Sequence, residues 1–301
     1  MSPGFDAQVI AAFGRQAIVR RPDGTTLDAR PQGRRLDIVC GDRVDCEHDA
    51  QHGETRIVAV QPRAGTLFRS NLRGGAEAVV ANLTRLVAVI APAPAPDLFI
   101  IDRYLAAAAS AGIGALIVLN KADLPGADLV WEELDALRHA GYPTLRCTRD
   151  DPASIAALAE ALHGQTGVLV GQSGVGKSSL VARLLPGIEI ATQELDRDAE
   201  GRHTTTASRL YDLPGGGALI DSPGVRDFAP AISALEPGSL GFVEVDQLAT
   251  GCRFHDCRHM REPGCAVIAA VERGAFDARR YESYRRLRRL FEDLGRAAAP
   301  R

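Results

Sequence analysis

From residue 5 to residue 62 apolar and polar positions alternate in short runs, QVIAAF, QAIVR, RLDIVC, DRVDC and TRIVAVQP, cut by the turn signals RPDGT and HDAQHG. A period of two predicts five short strands, and five such strands predict a small barrel or sandwich. Beyond residue 83 the pattern changes. LTRLVAVIA predicts a strand, DLFIIDRYLAAAASAG a helix ending at Gly112, and ALIVLN a buried strand. LVWEELDALRHAG predicts a second helix, PTLRC a strand, DPASIAALAEALHG a helix capped by Asp150 or Asp151, and TGVLVG a further strand. Helices between apolar strands predict a mostly parallel sheet covered on both faces, with its ligand at the carboxyl ends of the strands. APAPAP, at 91–96, has the composition of a linker, but its place between a strand and a helix of one sheet predicts an ordered loop.

Two of these strands run into loops with chemistry. GQSGVGKS fits GxxxxGK[ST] with Gly171, Gly176, Lys177 and Ser178, between an apolar strand and the helical run SSLVARLL. Glycines there let backbone N–H groups turn onto phosphates, Lys177 reaches the β and γ oxygens, and Ser178 offers a hydroxyl to Mg²⁺. NKAD follows the strand ALIVLN. The Asp123 carboxylate can accept from both the ring N–H and the amine of guanine, Asn120 would fix the loop, and Lys121 would lie along the base. Adenine would leave that carboxylate unpaired, a discrimination of about 10⁴ at sites that read hydrogen bonds. Cys147 and Thr148, after the next strand, are further candidates for a backbone contact to the base.

GGALIDSPG places Asp221 at the end of another buried strand, where a carboxylate can hold magnesium through water, and Gly224 offers an N–H to the γ-phosphate. Where many GTPases carry a water-positioning Gln, this chain has Val225, which predicts slow unassisted hydrolysis. GRHTTT, at 201–206, occupies the place of a switch segment. Its threonines Thr204, Thr205 and Thr206 are candidates to complete the magnesium shell, with Thr205 the nominee, and His203 stands near the reaction.

The phosphate loop follows NKAD instead of preceding it. Joining the old ends of an ordinary G-domain and opening it after DxxG yields this order, so the chain reads as a circular permutation. Domain termini lie close together, which lets the sheet close as before. The segment leaving DSPG then runs directly into the C-terminal region, so nucleotide state can move that region.

That region opens with GCRFHDCRHMREPGC. Three thiolates and an imidazole, Cys252, Cys257, His259 and Cys265, suit a closed tetrahedral zinc site, with His255 the rival ligand. The run that follows carries Arg279, Arg280, Arg285, Arg286, Arg288 and Arg289 around Tyr281 and Tyr284, a mixture suited to phosphate and base contacts, although helical tyrosines commonly pack.

Composition sharpens this picture. With 301 residues, 46% hydrophobic and 24% charged, the chain has a globular make-up long enough for two or three cores. Of 35 basic residues only Lys121 and Lys177 are lysines, and both fall inside the nucleotide motifs, where a slim point charge fits and a planar fork does not. The net charge of −3 divides into +1 over 1–80, −9 over 81–249 and +5 over 250–301. A basic tail behind an acidic middle places any grip on a polyanion at the ends of the chain, and a solvated helix face gives the same pattern. Six cysteines, three of them clustered, point to metal and not to a disulfide framework. The absence of a secretory pattern or a membrane-length apolar run points to a cytoplasmic protein.

Taken in order, NKAD, GQSGVGKSS, GRHTTT, DSPG and Cys252-Cys257-His259-Cys265 closely resemble the bacterial ribosome small subunit-dependent GTPase A family, as do GDRV at 41–44 and RYESY at 280–284. The likeness spans nearly the whole chain and is less distinct over the first 70 residues. It implies a multidomain α/β protein: an N-terminal OB-fold barrel over 1–70, a permuted G-domain over 71–229 and a zinc-binding helical domain over 230–301. GTP contacts are implied along Asn120, Lys121, Ala122 and Asp123, along Gly171, Gln172, Ser173, Gly174, Val175, Gly176, Lys177, Ser178 and Ser179, and at Asp221 and Gly224. Magnesium falls to Ser178, Thr205 and Asp221, and catalysis to His203 and Lys177. The resemblance further implies one zinc ion, contact with ribosomal RNA, and GTP hydrolysis to GDP stimulated by the small ribosomal subunit late in its assembly and linked to release; a monomer is the default expectation. The alternative in another class is a zinc-stabilised RNA-binding switch that binds GTP with negligible turnover.

Overall fold

The computed structural model describes residues 4–14, 16–33, 36–49, 53–71, 75–188, 208–226 and 229–298. Its first five strands are β1 (Phe5–Phe13), β2 (Gln16–Arg20), β3 (Thr26–Pro31), β4 (Arg43–Asp49) and β5 (Glu54–Val60). Alternate residues Val9, Val19, Ala29, Val44 and Ile57 point into one core, as a period of two dictates. Strand order β1-β2-β3-β5-β4 closes when β4 pairs back onto β1, Phe5 opposite Cys46 and Gln8 opposite Arg43. The closure gives a five-stranded barrel of the OB type.

One expected strand is absent from this barrel. The run RLDIVC is not a strand, and TLDARP takes its place as β3. Val39 and Cys40 instead pack at the barrel's junction with the next sheet, where Cys40 bridges to Val80 and Val39 clusters with Ala78 and Ala81. Next to them the carboxylate of Asp42, fully buried, accepts from the Val39 amide at 2.9 Å and from two Arg63 nitrogens at 2.7 and 2.9 Å.

A hairpin of β6 (Leu67–Ser70) and β7 (Ala76–Val80) leads to β8 (Arg85–Ile90), β9 (Gly114–Leu119), β10 (Thr144–Arg146), β11 (Thr166–Val170), β12 (Ser208–Asp212) and β13 (Ala218–Asp221). Their order is β10-β9-β8-β11-β13-β12, parallel except for β12. The central strand β8 shows why the sheet needs two layers of helices. Leu86, Ala88 and Ile90 enter one core with Ile101, Tyr104 and Leu105 of α1 (Leu98–Ser110) and with Val130 of α2 (Ala127–Glu133) and Leu137 of α3 (Asp135–His139). Val87 and Val89 enter the opposite core with Leu158 of α4 (Pro152–Ala161) and with Leu180 and Leu184 of α5 (Lys177–Leu184).

The single helix expected at 129–141 is broken at Leu134, which caps α2 and precedes α3. Asp151, not Asp150, caps α4, accepting from Ala153 and Ser154. Strand β1 also serves both sheets, because Ala11 and Ala12 pair with Arg209 and Ser208 of β12.

After the short helix α6 (Pro223–Arg226) the chain reaches α7 (Val243–Ala249), α8 (Ala266–Glu272) and α9 (Ala278–Ala298). These lean on α1. Ala106 of α1 joins the core of Phe242, Val267, Phe276, Tyr284 and Leu287, while Ser110 accepts from the Glu236 amide and Arg103 donates to Pro230. Among the described residues, no helix is long and apolar enough to cross a membrane.

Candidate functional site

The phosphate-loop sequence leaves β11 and enters α5 with three glycines at positive φ, Gly171 at 146°, Gly174 at 81° and Gly176 at 92°. A side chain at Gly171 would begin 2.2 Å from the Val89 carbonyl oxygen, and one at Gly176 would begin 2.3 Å from Asn120 Nδ2. Only glycine permits this approach. No side chain caps the first turn of α5, so its N–H groups and the positive end of its dipole are presented to an anion. Lys177 is buried at 8% exposure and donates to the carbonyls of Gly171 at 2.6 Å and Gln172 at 2.9 Å, so its ammonium lies over the loop.

NKAD, at the end of β9, is two strands away and is joined to the same loop. Asn120 Nδ2 donates to the Val175 carbonyl at 2.8 Å, while Lys121 donates to Gly174 at 2.7 Å and to Ala93 at 3.0 Å. Lys121 takes a positive φ of 55°, a conformation a non-glycine residue keeps only when its surroundings fix it. Ala122 donates to the Cys147 carbonyl, and Asp123 is exposed beyond it. The loop of Ala91 and the alternating prolines is therefore a wall of this site. It receives Lys121, and Asp97 at its end donates from its amide to Gln172 Oε1 at 3.2 Å.

The Cys147 and Thr148 amides donate to Leu119 and to Ser154 Oγ inside the protein. That commitment gives the base contact proposed for these two residues no support.

Ser173 is exposed at the tip of the loop, and Ser178 and Ser179 lie half-buried at the start of α5. Asp221 ends β13 beside β11, which puts DSPG at the same carboxyl edge as the phosphate loop, and Gly224 follows one turn on. Val225, in the place of the missing Gln, is fully buried in the sheet core. His203, Thr204, Thr205 and Thr206 lie outside the described residues.

In the C-terminal region Cys252, Cys257, His259 and Cys265 bring four ligand atoms within 4.8 Å of one another. Cys252 and Cys265 sulfurs are 3.9 Å apart, and His259 Nδ1 lies 3.5 and 3.4 Å from them. Zinc bonds of 2.3 Å to sulfur and 2.0–2.1 Å to nitrogen at a tetrahedral angle give separations of about 3.8 and 3.6 Å, so Cys252, Cys265 and His259 stand at the spacing such an ion sets. His255, the rival ligand, is exposed outside it.

Burial pushes the Cys257 thiol up to about 12 and lowers the His259 pKa, so the bare cluster favours neutral groups and a bound dication would favour thiolates. Amides of Ala266 and Ile268 point at the sulfurs of Cys252 and Cys265. Glu262 accepts from the amides of Arg258, Met260 and Arg261, and despite the opposing effect of burial these hold it below the usual carboxylate range.

The arginine helix α9 turns its tyrosines and part of its basic set inward. Tyr281 and Tyr284 donate to the carbonyls of His259 and Arg258, bracing the metal-type cluster. Arg280 and Arg288 are buried, Arg279 and Arg280 pair with Asp102, and Arg285 and Arg289 pair with Glu282. Arg286 lies 4.0 Å over the Phe99 ring. The tyrosines, Arg280 and Arg288 therefore serve packing, while Arg286 and Arg289 stay exposed.

Residues 60–230 match the family described as RsgA GTPase. The chain is 42% identical over 291 residues to the Small ribosomal subunit biogenesis GTPase RsgA of Pseudomonas aeruginosa, across 95% of this chain and 86% of the relative. To the protein of the same name from Azotobacter vinelandii it is 43% identical over 296 residues, with the same two coverages. Among solved structures, YjeQ from Thermotoga maritima superposes with a TM-score of 0.72 at 27% identity, covering 97% of this chain and 99% of that one. YloQ, described as a circularly permuted GTPase, does so at 0.71 and 22% identity, covering 99% and 97%, and agrees in fold. The reversed order of NKAD and phosphate loop on one parallel sheet, the closed barrel and the Cys/His cluster thus have a common explanation: the chain belongs to the RsgA GTPase family.

Proposed function

We propose that this protein is a GTPase of small ribosomal subunit maturation that binds the subunit and its RNA in the GTP form, hydrolyses GTP to GDP when the subunit stimulates it, and is then released. The observation that carries the nucleotide reading is the tie between Asn120 and Val175, because it fixes a guanine-type loop and a phosphate-type loop as one surface. The relatives' printed function carries the ribosomal part. On this reading Asp123 takes the base, and Lys121 and Asn120 hold the loop under it. Gly171 to Ser179 wrap the phosphates, Lys177 neutralises the transferring oxygens, and Gly224 meets the γ-phosphate.

Magnesium falls to Ser178, Asp221 and Thr205, and His203 acts at the attacking water. One zinc ion on Cys252, Cys257, His259 and Cys265 supplies structure, since four protein ligands leave no position for substrate. We place the units at 1–70, 71–229 and 230–301, with the β6–β7 hairpin bridging the first two, in a cytoplasmic monomer.

Val225 favours the second reading, a GTP-binding switch with negligible turnover, since its fully buried side chain cannot orient water. Steady-state hydrolysis by the protein alone, and with small subunits, large subunits and free RNA, separates the two. A large rise with small subunits only is expected. A slow rate indifferent to every partner would establish the passive switch instead.

A further inference from the structure

Strand β12 opens at Ser208, which follows GRHTTTA in sequence; its first two residues pair with the barrel, and the second pairs on its other side as well. On one side Ser208 and Arg209 face Ala12 and Ala11 of the barrel strand β1. On the other, Arg209 faces Asp221 of β13. One step beyond that pair the hydroxyls of Ser208 and Ser222 lie 2.7 Å apart. Ser222 is 2% exposed, and the half-buried Ser208 hydroxyl covers it from the β12 side.

Ser222 lies in DSPG, between Asp221 and Gly224. A side chain at Gly224 would begin 3.0 Å from Val79 of β7 and 3.6 Å from Ser222 Oγ. The turn is thus walled by apolar surface on one side and held by a hydroxyl pair on the other. Contacts run from Ala12 of β1 through Ser208 of β12 to Ser222, the residue that follows β13 and opens the turn assigned to the γ-phosphate.

We propose that Ser208 is a positioning residue for GTP hydrolysis, its hydroxyl holding Ser222, and with it Asp221 and Gly224, in register with the barrel strand β1. The proposal rests on the reading of this chain as a GTPase. Neither serine has a role on the nucleotide itself. Base and phosphate affinity come from NKAD and the phosphate loop, both seated on other strands, so loss of the pair acts on turnover and on discrimination of the γ-phosphate more than on GDP binding.

The test uses the full-length protein with Ser208→Ala, Ser208→Thr, Ser222→Ala and the double alanine variant, measuring kcat, KM and the affinities for GDP and a non-hydrolysable GTP analogue. Ser208→Ala is expected to lower kcat about tenfold, with KM changed by less than about twofold. Ser208→Thr keeps the hydroxyl on a residue suited to a strand and should restore kcat. The double variant should be no worse than either single one, because the two side chains act as one interaction.

A folded Ser208→Ala protein with wild-type kcat, or a threonine variant as defective as the alanine, overturns the assignment. If the wild-type protein binds nucleotide but turns over with no partner, the GTPase reading fails and the serine pair is judged on affinity alone. A wild-type preference for the GTP analogue over GDP that Ser208→Ala loses then upholds it, and an equal preference in both proteins overturns it.

Discussion

Arg280 of α9 meets Asp102 of α1 at 2.7 Å with both side chains almost wholly out of solvent, 1% and 0% exposed. The same guanidinium donates to both oxygens of Glu244 on α7 at 2.8 and 2.7 Å, and Arg279 adds a second contact to Asp102 at 2.6 Å. One buried charge cluster therefore fastens the cysteine-bearing region to the helix whose cap, Asp97, touches the phosphate loop. Truncating one member should leave an uncompensated charge and cost about 3–5 kcal/mol. Asp102→Asn is expected to lower the thermal midpoint and free α9 for proteolysis, and an apolar set of similar volume at 102, 244 and 280 should recover most of the loss. A midpoint unchanged in Asp102→Asn would refute this account.

Asp123→Asn should exchange guanine for xanthine. The amide presents a donor where the carboxylate presented an acceptor, and xanthine carries a carbonyl where guanine carries its amine. Competition between GTP and XTP for the variant reads the change directly, with an expected loss of GTP preference by several orders of magnitude, as at other sites that read hydrogen bonds. A variant that still prefers GTP would remove Asp123 from the base site.

Gly176 and Gly174 separate two costs. Alanine at 176 meets Asn120 Nδ2 at 2.3 Å in addition to its left-handed backbone, whereas alanine at 174 finds only Pro94, at 3.5 Å. The first should lose the Asn120–Val175 bond as well as about 1–2 kcal/mol of backbone preference, lowering GTP affinity roughly 100-fold. At Gly174→Ala only the backbone cost of about 1–2 kcal/mol applies, so the drop should be nearer tenfold. Equal losses in titrations of the two variants would argue against the contact with Asn120.

Chelation should unfold the C-terminal region and leave the sheet intact, visible as lost helical signal with retained nucleotide binding. Acid should act in the same direction. His259 and Glu262 both have lowered folded pKa values, so unfolding takes up protons and stability falls as pH drops below about 6.5 for the histidine and about 4.5 for the glutamate. A metal assay finding no bound zinc in protein purified without chelator would sink the ligand assignment.

Local chemistry was legible in the sequence because each motif carries its own geometry. A glycine spacing, the Asn-Lys-Ala-Asp loop and the Cys/His interval all act within a few residues, and their mutual order exposed the permutation. What failed depends on distant partners. Thr26–Pro31 buries only Ala29, so its composition hid a barrel strand, while the more apolar Val39 and Cys40 fill a junction and Ile38 packs on the barrel core from outside any strand. The buried part played by Arg280 was hidden in the sequence because its acidic partners, Glu244 and Asp102, stand 36 and 178 residues away. The role of the loop that carries the alternating prolines was invisible for the same reason, since Lys121 reaches Ala93 and Gln172 reaches Asp97 only in the folded sheet.

Strand β1 belongs to three ladders at once, facing β2 from Gln8 to Phe13, β4 from Phe5 to Gln8 and β12 at Ala11 and Ala12. A fragment lacking β1 would open the barrel and leave β12 with bare amides and carbonyls, an edge ready to accept a strand from another molecule. Shortened chains should therefore self-associate, and the two halves of this protein must be inherited, expressed and engineered together.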